Sequence, residues 1–348
     1  MNGRAVAVQG GLALVGLAAA YLTWQRRPEL QAGEAFVLDI TKNELQLVRF
    51  DDDALKNWAE LQPASDDNGS FIIVHLAKRE PPPAKTPSRD DRSKSAPERV
   101  LRGNDAAKSL YERFAPLRAT RALGVLDATR LKDLRLDDAK RHLTVQTRSG
   151  RRVFDLATPP LGGNDPYLRD KTDGRVFVVA RSILTDFATA LNGLVERHLH
   201  SFRLEEADRV SLTAGAAKKD YRIARSGDGH GVEFAAAGTP DKPDPAARAW
   251  HERAFSPVVA DLLGKGETPA EGEPQTKLRL EYFARGRSLG WLELAEASVE
   301  PTGPMSDAAA PAKKVWFARS ELTLGWGKLS GDNDSFIADG TKLAGATP

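Results

Sequence analysis

Arg175–Thr185 reads RVFVVARSILT, and Lys314–Thr323 reads KVWFARSELT. Each is a basic residue, Val, an aromatic and an apolar stretch, closed by Ala-Arg-Ser-x-Leu-Thr. Alternation at period two puts Val176 and Val178, and in the second segment Val315 and Phe317, on one face of a sheet. Ser182 and Ser320 stand where the strand gives way to the next element. Shared strand composition explains the apolar part of the match but not the ordered Ala-Arg-Ser-x-Leu-Thr. The pair therefore reads as one plan used twice. The expected fold class is α+β: an N-terminal transmembrane helix, then two tandem modules of antiparallel sheet with packed helices. The loops between strands are too short for crossover helices, which makes the sheets antiparallel.

Working outward, His142–Thr147 and Arg151–Ala157 flank the turn Ser149-Gly150, and Tyr167–Asp170 and Arg175–Ala180 flank Thr172-Asp173-Gly174. Both read as hairpins. A helix is expected from Ser182 to about His198, with Ile183, Phe187 and Leu191 on its apolar stripe. Upstream, Phe36–Phe50, Asn57–Gln62 and Phe71–Leu76 read as strands, and Asn104–Leu117 as a helix burying Leu110 and Phe114. The pattern restarts with strands Arg209–Thr213 and Asp220–Ala224, a helix at Pro245–Leu263, a hairpin of Leu278–Ala284 with Ser288–Leu294, and a strand at Lys314–Arg319. After Thr323 the helical pattern fails. The expected division is an anchor at 1–27, a first module at 28–200, a second at 201–330 and a flexible tail at 331–348. Within the first module, 79–102 is Pro- and Ser-rich with mixed charge and reads as a disordered insertion, because it has too little apolar surface to offset ordering entropy.

The 348 residues carry 50 basic and 48 acidic side chains and no cysteine. A net charge of +2 gives no field for nucleic acid. The missing cysteines exclude thiol catalysis, thiolate metal sites and disulfides. Ala5–Trp24 (AVAVQGGLALVGLAAAYLTW) is uncharged, long enough as a helix to cross a bilayer, and flanked by Arg4 and by Arg26-Arg27. Tyr21 and Trp24 sit where interfacial aromatics belong. An uncleaved anchor is expected; a signal peptide cut near Ala18-Ala19-Ala20 is the alternative. Positive charge is balanced across the segment, so its orientation stays open.

Chemical motifs weaken in context. Gly286–Gly290 matches G-x-S-x-G around Ser288, but an alternating strand follows where a nucleophile elbow needs a helix. His198-Leu199-His200 beside Glu196 has two possible metal ligands and no third. Asp51-Asp52-Asp53 and Asp332-Asn333-Asp334 lack calcium-loop spacing. No catalytic, cofactor-binding or metal-ligating residue is assigned, and no cofactor is expected.

RALGVL at Arg121–Leu126, PYLRDKTDGRVFVVARSIL at Pro166–Leu184 and HLHSFRLEEADRVSL at His198–Leu212 resemble the bacterial envelope family called domain of unknown function 4340. The resemblance covers Leu38–Ile223 and, through the second copy, reaches Thr323. It implies a periplasm-facing protein held by one inner-membrane span, similar to accessory subunits of gliding-type ABC transporters, with no catalytic residues. The expected partners are membrane lipid, through Ala5–Trp24, and a membrane-protein complex. Two alternatives stay open: a periplasmic ligand- or glycan-binding module using Trp291, Trp316 and Trp326, and an anchored hydrolase using Ser288.

Overall fold

The computed structural model describes residues 13–18, 21, 33–77, 98–158, 165–227, 231–299 and 313–345. A two-stranded ribbon pairs β1 (Ala35–Leu38) with β6 (Leu117–Ala119). The first large sheet contains β2 (Leu45–Asp52), β3 (Asn57–Asp66), β4 (Gly69–Ala77), β5 (Glu98–Arg102), β7 (Arg121–Val125), β8 (Arg141–Thr147), β9 (Gly150–Ala157), β10 (Tyr167–Asp170) and β11 (Arg175–Val178). Its order is β5-β4-β3-β2-β8-β9-β10-β11-β7, antiparallel throughout. Alternation buries Val48 and Phe50 of β2, Leu143 and Val145 of β8, and Phe154 and Leu156 of β9 on one face. Onto that face pack α1 (Asp105–Glu112), α3 (Ser182–Ala188) and α4 (Ala190–Gly193), contributing Leu110, Ile183, Phe187 and Ala190, with Phe114 just beyond α1. α2 (Ala128–Asp133) lies beside a smaller cluster of Leu131, Leu134, Leu136, Ala157, Tyr167 and Val176.

The second sheet contains β12 (Arg209–Ala214), β13 (Ala217–Arg225), β14 (Val232–Ala236), β15 (Val259–Leu262), β16 (Gln275–Ala284), β17 (Arg287–Val299), β18 (Lys313–Ser320) and β19 (Gly327–Leu329). Its order is β14-β13-β12-β16-β17-β18-β19-β15, again antiparallel. Its core joins Leu212, Tyr221, Leu280, Leu292 and Leu294 to α5 (Pro245–Phe255) and α6 (Asp334–Leu343).

Apart from β5, the two orders run strand for strand: β4-β3-β2-β8-β9-β10-β11-β7 against β14-β13-β12-β16-β17-β18-β19-β15. The helices correspond as well. AAKSLYER (106–113) lies in and just after α1, and AARAWHER (246–253) lies in α5. Asn104 and Asp244 cap these helices by accepting from the backbone N–H of Ala107 and Ala247, both fully buried. FDLA at 154–157 corresponds to LELA at 292–295, and the buried acids Asp155 and Glu293 each meet side chains from both sides: His142 of β8 and Lys171 just after β10 in one sheet, Arg279 of β16 and Arg319 of β18 in the other.

This register corrects the expected equivalence of Arg175–Thr185 with Lys314–Thr323. The first segment is β11 running into α3; the second is β18, the counterpart of β10, running into a turn before β19. The counterpart of α3 is α6, inside the stretch expected as a flexible tail. Phe336 and Ile337 are buried there, and the Trp250 indole donates to the Phe336 carbonyl.

Other boundaries move for local reasons. Glu98–Arg102, the end of the expected insertion, is β5, hydrogen-bonded along β4; residues 79–97 lie outside the described residues. The helix expected to run to Leu263 stops at Phe255 before Pro257, and the chain resumes as β15. The helix expected to reach His198 ends at Gly193; Val195 bridges Gly103 and the Glu196 N–H donates to the Arg102 carbonyl. Of Ala5–Trp24 the structure describes only 13–18 and 21, as helix. No helix among the described residues is long and apolar enough to cross a membrane.

Candidate functional site: a tryptophan- and arginine-lined cleft

The second Arg-Ser-x-Leu-Thr segment builds a turn after β18. The Ser320 N–H donates to the Thr323 hydroxyl at 2.9 Å, and the Thr323 hydroxyl and N–H donate back to the Ser320 carbonyl at 3.2 Å. This serine–threonine turn sends Glu321 inward. Its carboxylate meets His200 Nδ1 at 3.0 Å and accepts the Trp291 N–H at 2.9 Å, with side-chain exposures of 2% for His200 and 3% for Glu321. Gly290 makes room for it, since a Cβ there would lie 2.5 Å from the Glu321 carboxyl carbon. Phe255 stacks on His200 with ring centroids 4.5 Å apart, and Phe202 and Tyr282 complete the box. Burial, then the nearby Glu321 charge, hold the Tyr282 phenol far above its ordinary pKa. The His200 and Glu321 side chains and Tyr282 are buried in the cluster, while Phe255 is partly exposed. The cluster ties the linker between the sheets to the β18–β19 turn, and the Glu321 carbonyl also accepts from the Asn68 amide at the β3–β4 turn.

On the solvent side of the same turn lies a cleft of about 270 Å³. Trp291 of β17, Arg319 of β18 and Trp326 before β19 line it, with Thr323 and the acids Glu267 and Glu273 of the loop after β15. The Arg319 guanidinium lies 4.3 Å from the Trp326 ring centre, and its Nε donates to Glu293 at 2.5 Å. Glu293 also accepts from Arg279, whose guanidinium sits 5.1 Å from the Trp291 ring centre. Glu267 is held by Arg99 of β5, which also binds Asp261, so the cleft floor is fastened to the first sheet. The backbones close tightly here: a Cβ on Gly325 would meet the Leu263 and Gly264 carbonyl oxygens at 2.4 Å.

Two of the three tryptophans singled out from the sequence therefore meet at one cleft. Trp326 is itself buried against Leu263 and Phe317, so Trp291 is the more open of the two; the third, Trp316, is buried and donates to Asp334 at 2.6 Å. Arg319, Glu267 and Glu273 escaped the sequence reading.

The remaining candidates stay apart. Arg285 and Gly286 have φ of 51° and 76° and form the two-residue turn of the β16–β17 hairpin, so Ser288 lies in a strand opposite Phe283 and not on a strand-to-helix elbow. His198 is exposed and pairs with Glu196, while His200 points into the aromatic box, so the two histidines diverge. Asp51 pairs with Arg49, Asp52 with Arg141 and Asp53 with His142. Asp332 accepts the Asp334 N–H at 2.9 Å, and Asp334 accepts from Trp316. Among the described residues, no three His, Asp or Glu side chains converge as a metal site.

Residues 92–264 match the family model described as domain of unknown function (DUF4340). This supports the family resemblance over just under half of the chain, from β5 of the first sheet through α5 and β15 of the second. No curated protein matches the chain, and no solved structure does.

Proposed function

We propose that this chain, whose residues 92–264 match the family of domain of unknown function DUF4340, is a non-enzymatic, membrane-anchored envelope protein. Its soluble part is periplasmic and serves as an accessory subunit of an ABC-type transport or gliding-type surface assembly. Ala5–Trp24 is its single inner-membrane span, and the two sheets arose by duplication of one module. The observation that supports the reading is the repeated build of the described body, in strand order and in the capped helix of each half. His200, Glu321 and Tyr282 are enclosed in an aromatic box, and Asp155 and Glu293 knit neighbouring strands. Such a body presents broad, rigid sheet surfaces on a tether, which suits a subunit that works by contact.

In-cell cross-linking followed by purification from detergent tests this reading. A permease-like membrane protein recovered with the chain supports it. Recovery of the chain alone from cells that hold the complete assembly contradicts it.

A ligand-binding role is the second reading, and the cleft between Trp291 and Trp326 favours it.

A further inference from the structure

We propose that the cleft lined by Trp291, Arg319 and Trp326 binds a short neutral saccharide. The inference does not rest on the membrane-accessory reading, and either can fail without the other.

The size of the cleft sets the first limit. About 270 Å³ is small beside the roughly 300–1,000 Å³ of sites for drug-sized ligands. A cleft of that size suits one or two sugar rings and not a folded peptide.

The chemistry sets the second. Trp291 is half-buried and lines the cleft, with the Arg279 guanidinium 5.1 Å from its ring centre. Indole presents a negative face to the weakly positive C–H groups of a pyranose and keeps a polar N–H at its edge. Beside it, the Arg319 side chain is 44% exposed although its Nε is committed to Glu293, which leaves a planar donor edge for adjacent hydroxyls. Thr323, Thr268 and Glu273 add hydroxyl and carboxylate acceptors.

Charge decides between ligand classes. Glu267 and Glu273 share the lining with Arg319, so an anion meets carboxylates and a cation meets a guanidinium. A ligand that is uncharged and rich in both donors and acceptors avoids both penalties. The site is also preorganised: Arg99 holds Glu267, Glu293 holds the Arg319 Nε, and Gly325 packs on the Leu263–Gly264 backbone. Little conformational entropy remains to be lost on binding.

The test is titration of the full chain, purified in detergent, with cellobiose and N,N′-diacetylchitobiose, read by tryptophan fluorescence. Glucuronate and trilysine serve as charged comparisons. Saturation by at least one neutral disaccharide, at concentrations on the order of millimolar, is expected. Trp291→Ala and Arg319→Gln should weaken it at least about tenfold. Glu273→Gln, on an exposed loop clear of the core, should weaken it by a few-fold and serves if the other variants unfold. Trp58→Ala, at a tryptophan under Arg49 in the first sheet, should leave it unchanged. No saturation by either disaccharide overturns the proposal. So does tighter binding of glucuronate or trilysine, or an unaltered response in Glu273→Gln together with whichever cleft variants fold.

Discussion

Arg113 and Arg253 hold the same place in two matching segments, and each reaches the start of the helix that closes its own sheet. Arg113 donates to Ser182 at 2.9 Å and to Asp186 at 2.7 Å on α3. Arg253 donates to Asn333, the N-cap of α6, at 3.4 Å and lies 4.4 Å from the Phe336 ring centre. The same side chain does the same work twice, which is what duplication of a module would leave behind. Arg113→Ala and Arg253→Ala should each lower stability by about 0.5–1.5 kcal/mol, modest because both arginines are exposed. Denaturant midpoints of the two variants check this. Loss of stability in one variant and a gain in the other would separate the two roles.

His251, the counterpart of Tyr111, packs against Phe234, Tyr221 and Trp250 and is fully buried. Burial pushes its pKa down to about 3 from an ordinary 6.5. The unfolded chain therefore binds a proton between those values that the folded chain refuses. The resulting stability is complete above pH 6.5 and falls as the pH drops toward 3, by roughly 4–5 kcal/mol at the lower end. Urea denaturation of the wild type and His251→Phe at pH 7 and pH 4 checks the sign: the variant should lose less stability on acidification. An equal loss in both would mean that the imidazole is not excluded from protonation.

Removing Glu321 strands its partners. Glu321→Ala leaves the His200 ring and the Trp291 N–H without the carboxylate that both meet inside the aromatic box. A cost of about 1–3 kcal/mol for each partner left unsatisfied is expected. Thermal unfolding checks it, and a change under about 1 kcal/mol would show that water replaces the carboxylate.

Gly325→Ala should be worse than Gly290→Ala. At Gly325 the new Cβ meets two backbone carbonyls, which cannot swing aside, whereas at Gly290 it meets the end of the Glu321 side chain. Overpacking at Gly290 should cost about 1–3 kcal/mol and at Gly325 more than that. Expression level and melting temperature of the pair give the ranking.

Most strands were legible in the sequence because half-buried antiparallel strands alternate, and His142–Ala157 shows that alternation on both sides of a short turn. The register of the repeat was not. RVFVVARSILT and KVWFARSELT agree because any strand entering a serine–threonine turn or a helix start draws on the same residue types. The structural match, AAKSLYER with AARAWHER, is hidden by Leu exchanging for Trp and Tyr for His at buried positions. α6 was missed because Asp, Asn and Gly dominate SGDNDSFIADG, while only Phe336 and Ile337 signal the core. The cleft was half legible. Large aromatics in a strand-rich segment stand out, but nothing local separates the buried Trp316 and Trp326 from the half-buried Trp291, and the placement of Arg319 depends on pairing with β17.

The measurement that bears most directly on the central claim is membrane fractionation of cells carrying a compartment-sensitive reporter fused after Pro348, with N-terminal sequencing of the recovered chain. The account predicts a membrane-bound chain that retains Ala5–Trp24 and a reporter active only in the periplasm. A chain in the soluble fraction beginning near Tyr21, or a reporter active only in the cytoplasm, would contradict it.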